Sequence, residues 1–357
     1  MKRKIVKIFA YPAHCDGKHI PGVDYVRIIR PMQELAKQER FKVTLYDGSN
    51  KYYWNELAKE YDIFYLNYIT NAAGFVNSTF WFMKLGKKVV FDIDDLIWEI
   101  QGDNAAYSVY APQSEGRATI TDIIARGCSY ITCTNQFLKN GIVQYTGKTH
   151  NDIKVLPNYI DLDLYTWWQK AKENYEVKIG YFGSSSHFND LVNPGFVAGI
   201  TRLMGEYPQV RFYTIGAMIQ ELKKKFGSRY TTGFGDHDLY KWVKMMPLLL
   251  QDVDIFVAPL MDITYARGKS SIKYLEYSST KIPGVYQNIR QYKEIIDDGE
   301  NGFLASTDYD WYSKLKALAT SVKLRRTMGE KAYQTVKKGW TIQGNIGAHI
   351  DFFKSIL

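Results

Sequence analysis

The feature that most constrains this chain is its rhythm. Short runs that are apolar on both faces alternate with stretches whose apolar residues recur at helical spacing, and Ile63-Phe64-Tyr65-Leu66 is one such run. A strand with no polar face must be covered on both sides, as in a parallel sheet flanked by helices. The first half predicts strands at Ile5–Tyr11, Lys42–Tyr46, Ile63–Tyr68, Lys88–Ile93, Tyr130–Thr134 and Ile153–Leu156, with helices such as Tyr25–Gln38 and Trp54–Glu60 between them. After Pro157-Asn158-Tyr159 a polar, aromatic stretch from Asp161 to Glu176 reads as a linker. The rhythm then resumes with strands at Val177–Gly183, Val210–Gly216, Asp254–Leu260, Gly284–Tyr286 and Gly302–Ala305. Helices are expected at Asn189–Glu206, Asp238–Leu250, Ser270–Ser279 and Asp308–Thr320. A last helix, Trp340–Leu357, carries an apolar stripe at Ile346, Ile350 and Phe353. The expected class is α/β, with two doubly wound domains in series. Ligands of such sheets bind beyond the carboxyl ends of the strands, here in the cleft between domains.

Composition supports this and excludes other classes. A chain of 357 residues accommodates two such domains. Hydrophobic residues at 46% and charged residues at 23% supply large cores and exclude wholesale disorder. No run approaches the roughly 20 apolar residues of a membrane helix. The basic start, Met1 to Lys4, leads into an apolar run too short for a secretion signal. Cys15, Cys128 and Cys133 make no disulfide framework and lack zinc spacing, so a cytoplasmic location is expected. The net charge of +9 is spread along the chain without a basic arm. It suits nucleic acid, an anionic membrane surface or phosphorylated small molecules, and equally plain solubility. The 28 Tyr and 8 Trp can stack on sugars or bases, although most aromatic rings fill cores.

Four strand ends carry candidate chemistry. In the second half, Ala258-Pro259-Leu260-Met261-Asp262 leads by a loop into Arg267-Gly268-Lys269-Ser270-Ser271-Ile272-Lys273-Tyr274-Leu275-Glu276. Ser270 can cap a helix beginning there. Helix starts attract anions, and Arg267, Lys269 and Lys273, with Ser270 and Ser271, would make a cradle for a diphosphate. Glu276 shares a helix face with Lys273, where it can accept from a ribose diol or simply pair with the lysine in solvent. Earlier, Gly180-Tyr181-Phe182-Gly183-Ser184-Ser185-Ser186-His187 joins a strand to a helix. The N–H and hydroxyl groups of Gly183, Ser184, Ser185 and Ser186 can hold phosphate oxygens, although an ordinary turn has the same make-up. The spacing matches neither the dinucleotide fingerprint nor the P-loop.

In the first half, Phe91-Asp92-Ile93-Asp94-Asp95-Leu96 ends a strand. Its carboxylates can bind a divalent metal, cap the next segment or orient basic side chains, and no other ligands cluster nearby. Asp94 and Asp95 fall where cleft residues belong. The first loop, Ala13–Asp24, holds His14 and His19 and precedes a helix with Arg27 and Arg30. Two arginines at a helix start suit an anion or a solvated surface. Nothing resembles a Ser–His–Asp triad, a reactive cysteine or a metal-binding His pair.

Taken in order, these pieces resemble the family-4-like retaining glycosyltransferases of the GT-B fold, of bacterial and phage type. The resemblance rests on Pro21–Pro31, Val89–Trp98, Leu156–Asp161, Ile179–His187 with Asp190, Ala258–Leu260 with Gly268–Glu276, and Gly299–Phe303. It implies an N-terminal Rossmann-like acceptor domain (1–165), a C-terminal nucleotide-sugar domain (175–338) and a helix (339–357) that packs back on the first domain. It implies a UDP- or GDP-sugar donor, retention, and no cofactor or divalent metal. By resemblance Glu276 binds the donor ribose, and Arg267, Lys269 and Lys273 hold the diphosphate, with Asp94, Lys269 and Glu276 as the catalytic set. His14, Arg27, Arg30 and Asp95 fall on the acceptor side. The family pattern has a second glutamate eight residues before Glu276; this chain has Gly268 there, leaving Lys269 or Asp262 to replace it.

Three functions compete on this reading. The first is transfer of a hexose to a saccharide or cell-envelope acceptor. The second is transfer to duplex DNA carrying hydroxymethylated pyrimidines, which requires base flipping and gives steep salt dependence. The third, motivated by Gly268, is an inactive nucleotide-sugar-binding protein.

Overall fold

The computed structural model describes residues 5–13, 22–46, 54–68, 73–165, 175–183, 188–233 and 253–357. The first six strands are β1 (Val6–Tyr11), β2 (Phe41–Leu45), β3 (Ile63–Asn67), β4 (Lys88–Ile93), β5 (Tyr130–Cys133) and β6 (Ile153–Val155). They form one sheet in the order β2-β1-β3-β4-β5-β6, parallel at every pairing. All five residues of β3 are buried, which explains its apolar run from Ile63 to Leu66. Against this sheet lie α1 (Arg30–Ala36), entered through a π-helical turn at Tyr25–Ile29, and α2 (Gln136–Thr146).

The second sheet contains β7 (Val177–Phe182), β8 (Val210–Ile215), β9 (Tyr230–Gly233), β10 (Ile255–Ala258), β11 (Gly284–Gln287) and β12 (Phe303–Ala305). Its order is β12-β11-β10-β7-β8-β9, again parallel throughout. The strand β9 is missing from the sequence reading. Its Tyr-Thr-Thr-Gly sequence is polar because it pairs on one side only and leaves both threonines exposed. The helix expected over Asn189–Glu206 is two helices, Phe188–Leu191 and α3 (Pro194–Glu206). Pro194 occupies the first turn of α3, and the Asn193 side chain caps it by accepting from Phe196 N. The helix expected at Asp238–Leu250 lies outside the described residues. The remaining helices used below are α4 (Ile272–Ser278), α5 (Asp308–Thr320), α6 (Val322–Gly339) and α7 (Ile342–Ser355).

The chain crosses between the lobes twice, and the two crossings are joined. Ile160 N donates to Trp340 O and Ile342 N to Ile160 O, both at 2.9 Å. Beyond this bridge α7 packs on α1, and Phe352, Phe353 and Ile356 share one core cluster with Val6, Ile8 and Met32. Arg30 Nε donates to Asp161 Oδ2, and Gln343 Nε2 donates to Asp161 Oδ1 at 2.7 Å, so one carboxylate ties α1, the first crossing and α7 together. Each fully buried Ile or Phe of these cores contributes about 1.5–3 kcal/mol.

Each sheet has a point where the chain reverses its direction of travel: between β1 and β3 in the first, between β7 and β10 in the second. Strand order there leaves a crevice at the carboxyl ends, the usual ligand position.

Candidate active site

In the C-terminal lobe, two stretches far apart in sequence meet at the reversal point. The strand β7 ends at Phe182, and Lys273 of α4 donates from Nζ to Phe182 O at 2.6 Å. A Cβ on Gly183 would lie 3.1 Å from that Nζ and 2.7 Å from Tyr181 Oη. Glycine at 183 therefore permits the lysine's close approach. Tyr277 closes the other side, its hydroxyl donating to Phe182 O at 3.0 Å.

Lys273 is buried and, among the described residues, has no salt-bridge partner. Burial pushes its pKa down to about 8, and Lys269 adds to the fall while Glu276 opposes it. Glu276 lies one turn along α4, half-buried, with no hydrogen-bond partner among the described residues. Burial pushes its carboxyl up to about 7, with Lys273 pulling the other way. Lys269 lies over the Tyr265 ring, 4.9 Å from its centroid. The buried Asp190 accepts from Met261 N at 3.2 Å and contributes negative field at Lys273. Desolvated groups of both signs in a crevice, not neutralised by each other, are a functional-site signature.

Three sequence expectations are altered here. The helix is the seven-residue α4, with Ser271 as N-cap and no side-chain capping bond. Ser270 does not cap it; its Oγ accepts from Asn158 Nδ2 of the other lobe at 2.8 Å. Two turns of helix carry a short dipole, so positive charge at this point comes mainly from Lys269 and Lys273. Arg267 faces solvent and pairs with Asp262 at 2.7 Å, so both are engaged with each other at the surface. Ser184, Ser185 and Ser186 lie outside the described residues.

In the N-terminal lobe the reversal point is closed by internal pairing. Arg27 makes a bidentate pair with Asp92, at 3.0 and 2.6 Å. Its remaining Nη1 donates to Leu156 O at 2.6 Å and to Asn158 Oδ1 at 2.9 Å. Burial works against its charge, but Asp92 outweighs burial and holds the guanidinium above its ordinary range. Arg30 is likewise engaged, with Asp161 and Glu34. The geometry thus gives Arg27 and Arg30 places inside the fold instead of on the acceptor side, because both are buried and each is paired with a carboxylate of its own lobe or of the first crossing. His14 lies outside the described residues.

Asp94 and Asp95 follow β4 and are half-buried at the cleft. Tyr68 holds them: its hydroxyl donates to Asp94 Oδ1 at 2.7 Å and accepts from Asp95 N at 2.9 Å. To do so Tyr68 adopts φ 38°, a left-handed conformation that is strained for a bulky residue. Burial, and next the charge of Asp95, push the Asp94 carboxyl up to about 7. Tyr265 of the C-terminal lobe donates to Asp95 Oδ2 at 3.0 Å. Asp92, Asp94 and Asp95 therefore face three different partners, and among the described residues no group of three His, Cys, Asp or Glu side chains is arranged to hold a metal ion.

From sequence, Tyr68, Asn135, Asn158 and Tyr265 carried no assigned role, although Asn158 lies within the Leu156–Asp161 segment. Asn135 alone carried a local signal, an N-cap residue between strand and helix: its Oδ1 accepts from Leu138 N at 2.9 Å. Cys128 and Cys133 are buried, which pushes both thiols up to about 12 and leaves them unreactive. Among the described residues no helix is long and apolar enough to cross a membrane.

Residues 177–321 match the family model of glycosyl transferases group 1. The matched segment is about two fifths of the chain and resembles a group 1 glycosyl transferase domain. The transferase domain runs from β7 through α5, so it contains Gly183, Lys273 and Glu276. Solved structures extend the likeness over both lobes. The Anabaena protein HepE in complex with UDP-glucose aligns with a TM-score of 0.67 at 15% identity, covering 97% of this chain and 99% of its own. Sucrose-phosphate synthase from Thermosynechococcus elongatus gives 0.67 at 12% identity, with 98% and 99% covered. A glycosyltransferase from Rickettsia africae gives 0.61 at 11%, with 99% and 98% covered. No curated protein matches the chain by sequence. The fold is GT-B: two facing lobes, each a parallel six-stranded sheet wrapped by helices. A glycosyltransferase domain on that frame makes the chain an enzyme of that kind.

Proposed function

We propose that the protein transfers a hexose from a UDP-sugar to a saccharide hydroxyl, with retention at the anomeric carbon, in the cytoplasm, as a family-4-like member. The observation that carries this reading is the convergence of Lys273, Gly183 and Glu276 at the reversal point of the transferase domain. Lys273 and Lys269 hold the diphosphate together with Gly183 and the Ser184–Ser186 segment, and Ser270 and Ser271 flank it. Glu276 accepts from the ribose diol. Asp94 faces them from the other lobe and orients the acceptor hydroxyl.

In the reaction the acceptor oxygen bonds to the anomeric carbon as the bond from that carbon to the β-phosphate oxygen breaks. UDP leaves with the electron pair, and the hydroxyl proton passes to the departing phosphate oxygen on the same face. Lys273 and Lys269 stabilise the charge that develops on the leaving group, and no role is assigned to a divalent metal. The donor choice draws support from HepE, whose structure contains UDP-glucose.

The test is a thermal-shift screen of UDP-glucose against GDP-mannose, since a ligand that binds only the folded state raises its stability. UDP-glucose is expected to raise Tm, and K273A and E276A to remove the effect. A shift that survives both substitutions overturns the site. A second reading, transfer to duplex DNA, draws on the net charge of +9. It requires duplex binding that weakens steeply with salt.

A further inference from the structure

The donor loop is not held by its own lobe alone. Three side chains of the N-terminal lobe grip it within six residues. Asp95 accepts from Tyr265 Oη at 3.0 Å, Asn135 Nδ2 donates to Gly268 O at 2.8 Å, and Asn158 Nδ2 donates to Ser270 Oγ at 2.8 Å. Each gripping group is itself fixed. Asn135 caps α2 through Leu138 N and also reaches Thr134 Oγ1 at 2.9 Å. Asn158 is buried, and its Oδ1 is held by Arg27 at 2.9 Å. Asp95 is held through its N–H by Tyr68 at 2.9 Å.

Steric fit points the same way. Leu96 is buried between two glycines on opposite lobes. A Cβ at Gly141 of α2 would lie 2.4 Å from Leu96 Cδ1, and a Cβ at Gly268 would lie 2.9 Å from Leu96 Cβ. The second contact is between two atoms that no rotamer change can separate. Any side chain at 268 therefore pushes the lobes apart at the seam.

We propose that Asn135 and Asn158 are positioning residues for the donor loop of the opposite lobe, and that position 268 is glycine because the lobes meet there. On this account the affinity for the nucleotide is set partly by a lobe that does not hold its phosphates. The missing carboxylate at 268 is a requirement of the seam, and inactivity does not follow from it. The inference rests on the reading that Gly268–Glu276 binds a nucleoside diphosphate, and its test separates the two.

The first arm needs no ligand. Hydrogen exchange of the Lys269–Lys273 amides in the full chain is expected to speed up at least about fivefold in N135A and N158A, the size of one lost hydrogen bond. Unchanged exchange in both variants overturns the positioning role. The second arm is calorimetric titration with UDP. N135A and N158A are expected to weaken UDP about five- to tenfold, and G268A by more. N158A combined with S270A is expected to cost no more than S270A alone, because Asn158 acts through that hydroxyl. Additive losses, or UDP bound by N135A and N158A as tightly as by the parent, overturn the inference. Should N158A fail to fold, Y265F removes a grip from the other side of the seam and takes its place in both arms. Faster exchange in the variants, together with a parent chain that binds no UDP, overturns the nucleotide reading and leaves the seam standing.

Discussion

The two lobes have the same sheet architecture and treat charge at their reversal points in opposite ways. In the N-terminal lobe, Arg27 and Asp92 are both buried and pair with each other, with Leu156 O and Asn158 accepting from Arg27 and with Thr132 and Tyr65 donating to Asp92. Among the described residues of the C-terminal lobe, Lys273 donates to a backbone carbonyl and lies 5.2 Å from the centroid of the Tyr181 ring, with no carboxylate bonded to it, and Glu276 has no hydrogen-bond partner. A buried charge without a counter-ion lowers stability, and both groups show this by shifting toward their neutral forms. The first lobe uses its charges to build itself; the second leaves them available to a ligand.

Four measurements break or sharpen this contrast. R27A is expected to act most strongly, lowering unfolding stability by about 3–5 kcal/mol because Asp92 is left buried and unpaired. Denaturant unfolding reads it, and a loss below 1 kcal/mol would erase the distinction between the lobes. K273A should do the reverse, leaving stability nearly unchanged while weakening UDP about a hundredfold, the scale for losing a desolvated charged contact. If K273A unfolds the protein as R27A does, the lysine is structural.

Next comes pH. Lys273 is positive only below about 8, so UDP affinity should fall roughly tenfold between pH 7 and 9. Proton uptake on binding should appear in the same window, seen by calorimetry in buffers of different ionisation heat. The smallest effect is E276Q. The folded-state pKa of Glu276, about 7, lies above its ordinary 4.5. Its ionisation therefore destabilises the fold as pH rises from 4.5 through 7. At pH 8, E276Q should raise Tm by about 2–4 °C while donor affinity falls.

Much of the frame was legible because parallel strands buried on both faces need long apolar runs. Eleven of the strands named above coincide, within a residue or two at each end, with stretches read from the sequence. The edge strand β9 escaped because a strand with one neighbour and exposed threonines needs no such run. The candidate site was legible as residue types and not as partners. Periodicity shows that Lys273 and Glu276 share a helix face. It does not show that Lys273 reaches Phe182 O across the lobe, nor that Arg27 is closed off by Asp92 sixty-five residues later. An arginine seeking an anion and an arginine already holding one look the same in sequence. The seam is harder still, since Asn135, Asn158 and Gly268 gain meaning only when the two sheets face each other.

The return of α7 to the first lobe bears on how the molecule is made. Phe352, Phe353 and Ile356 complete the same core as Val6 and Ile8. As the chain emerges during synthesis, that core stays open on one flank until residue 356 has appeared. The second lobe, whose β7 to β12 lie wholly between, has all its strands in hand well before then. The lobe translated first is thus the last to close, and a chain lacking Phe352, Phe353 and Ile356 would leave its apolar flank bare for chaperones or aggregation.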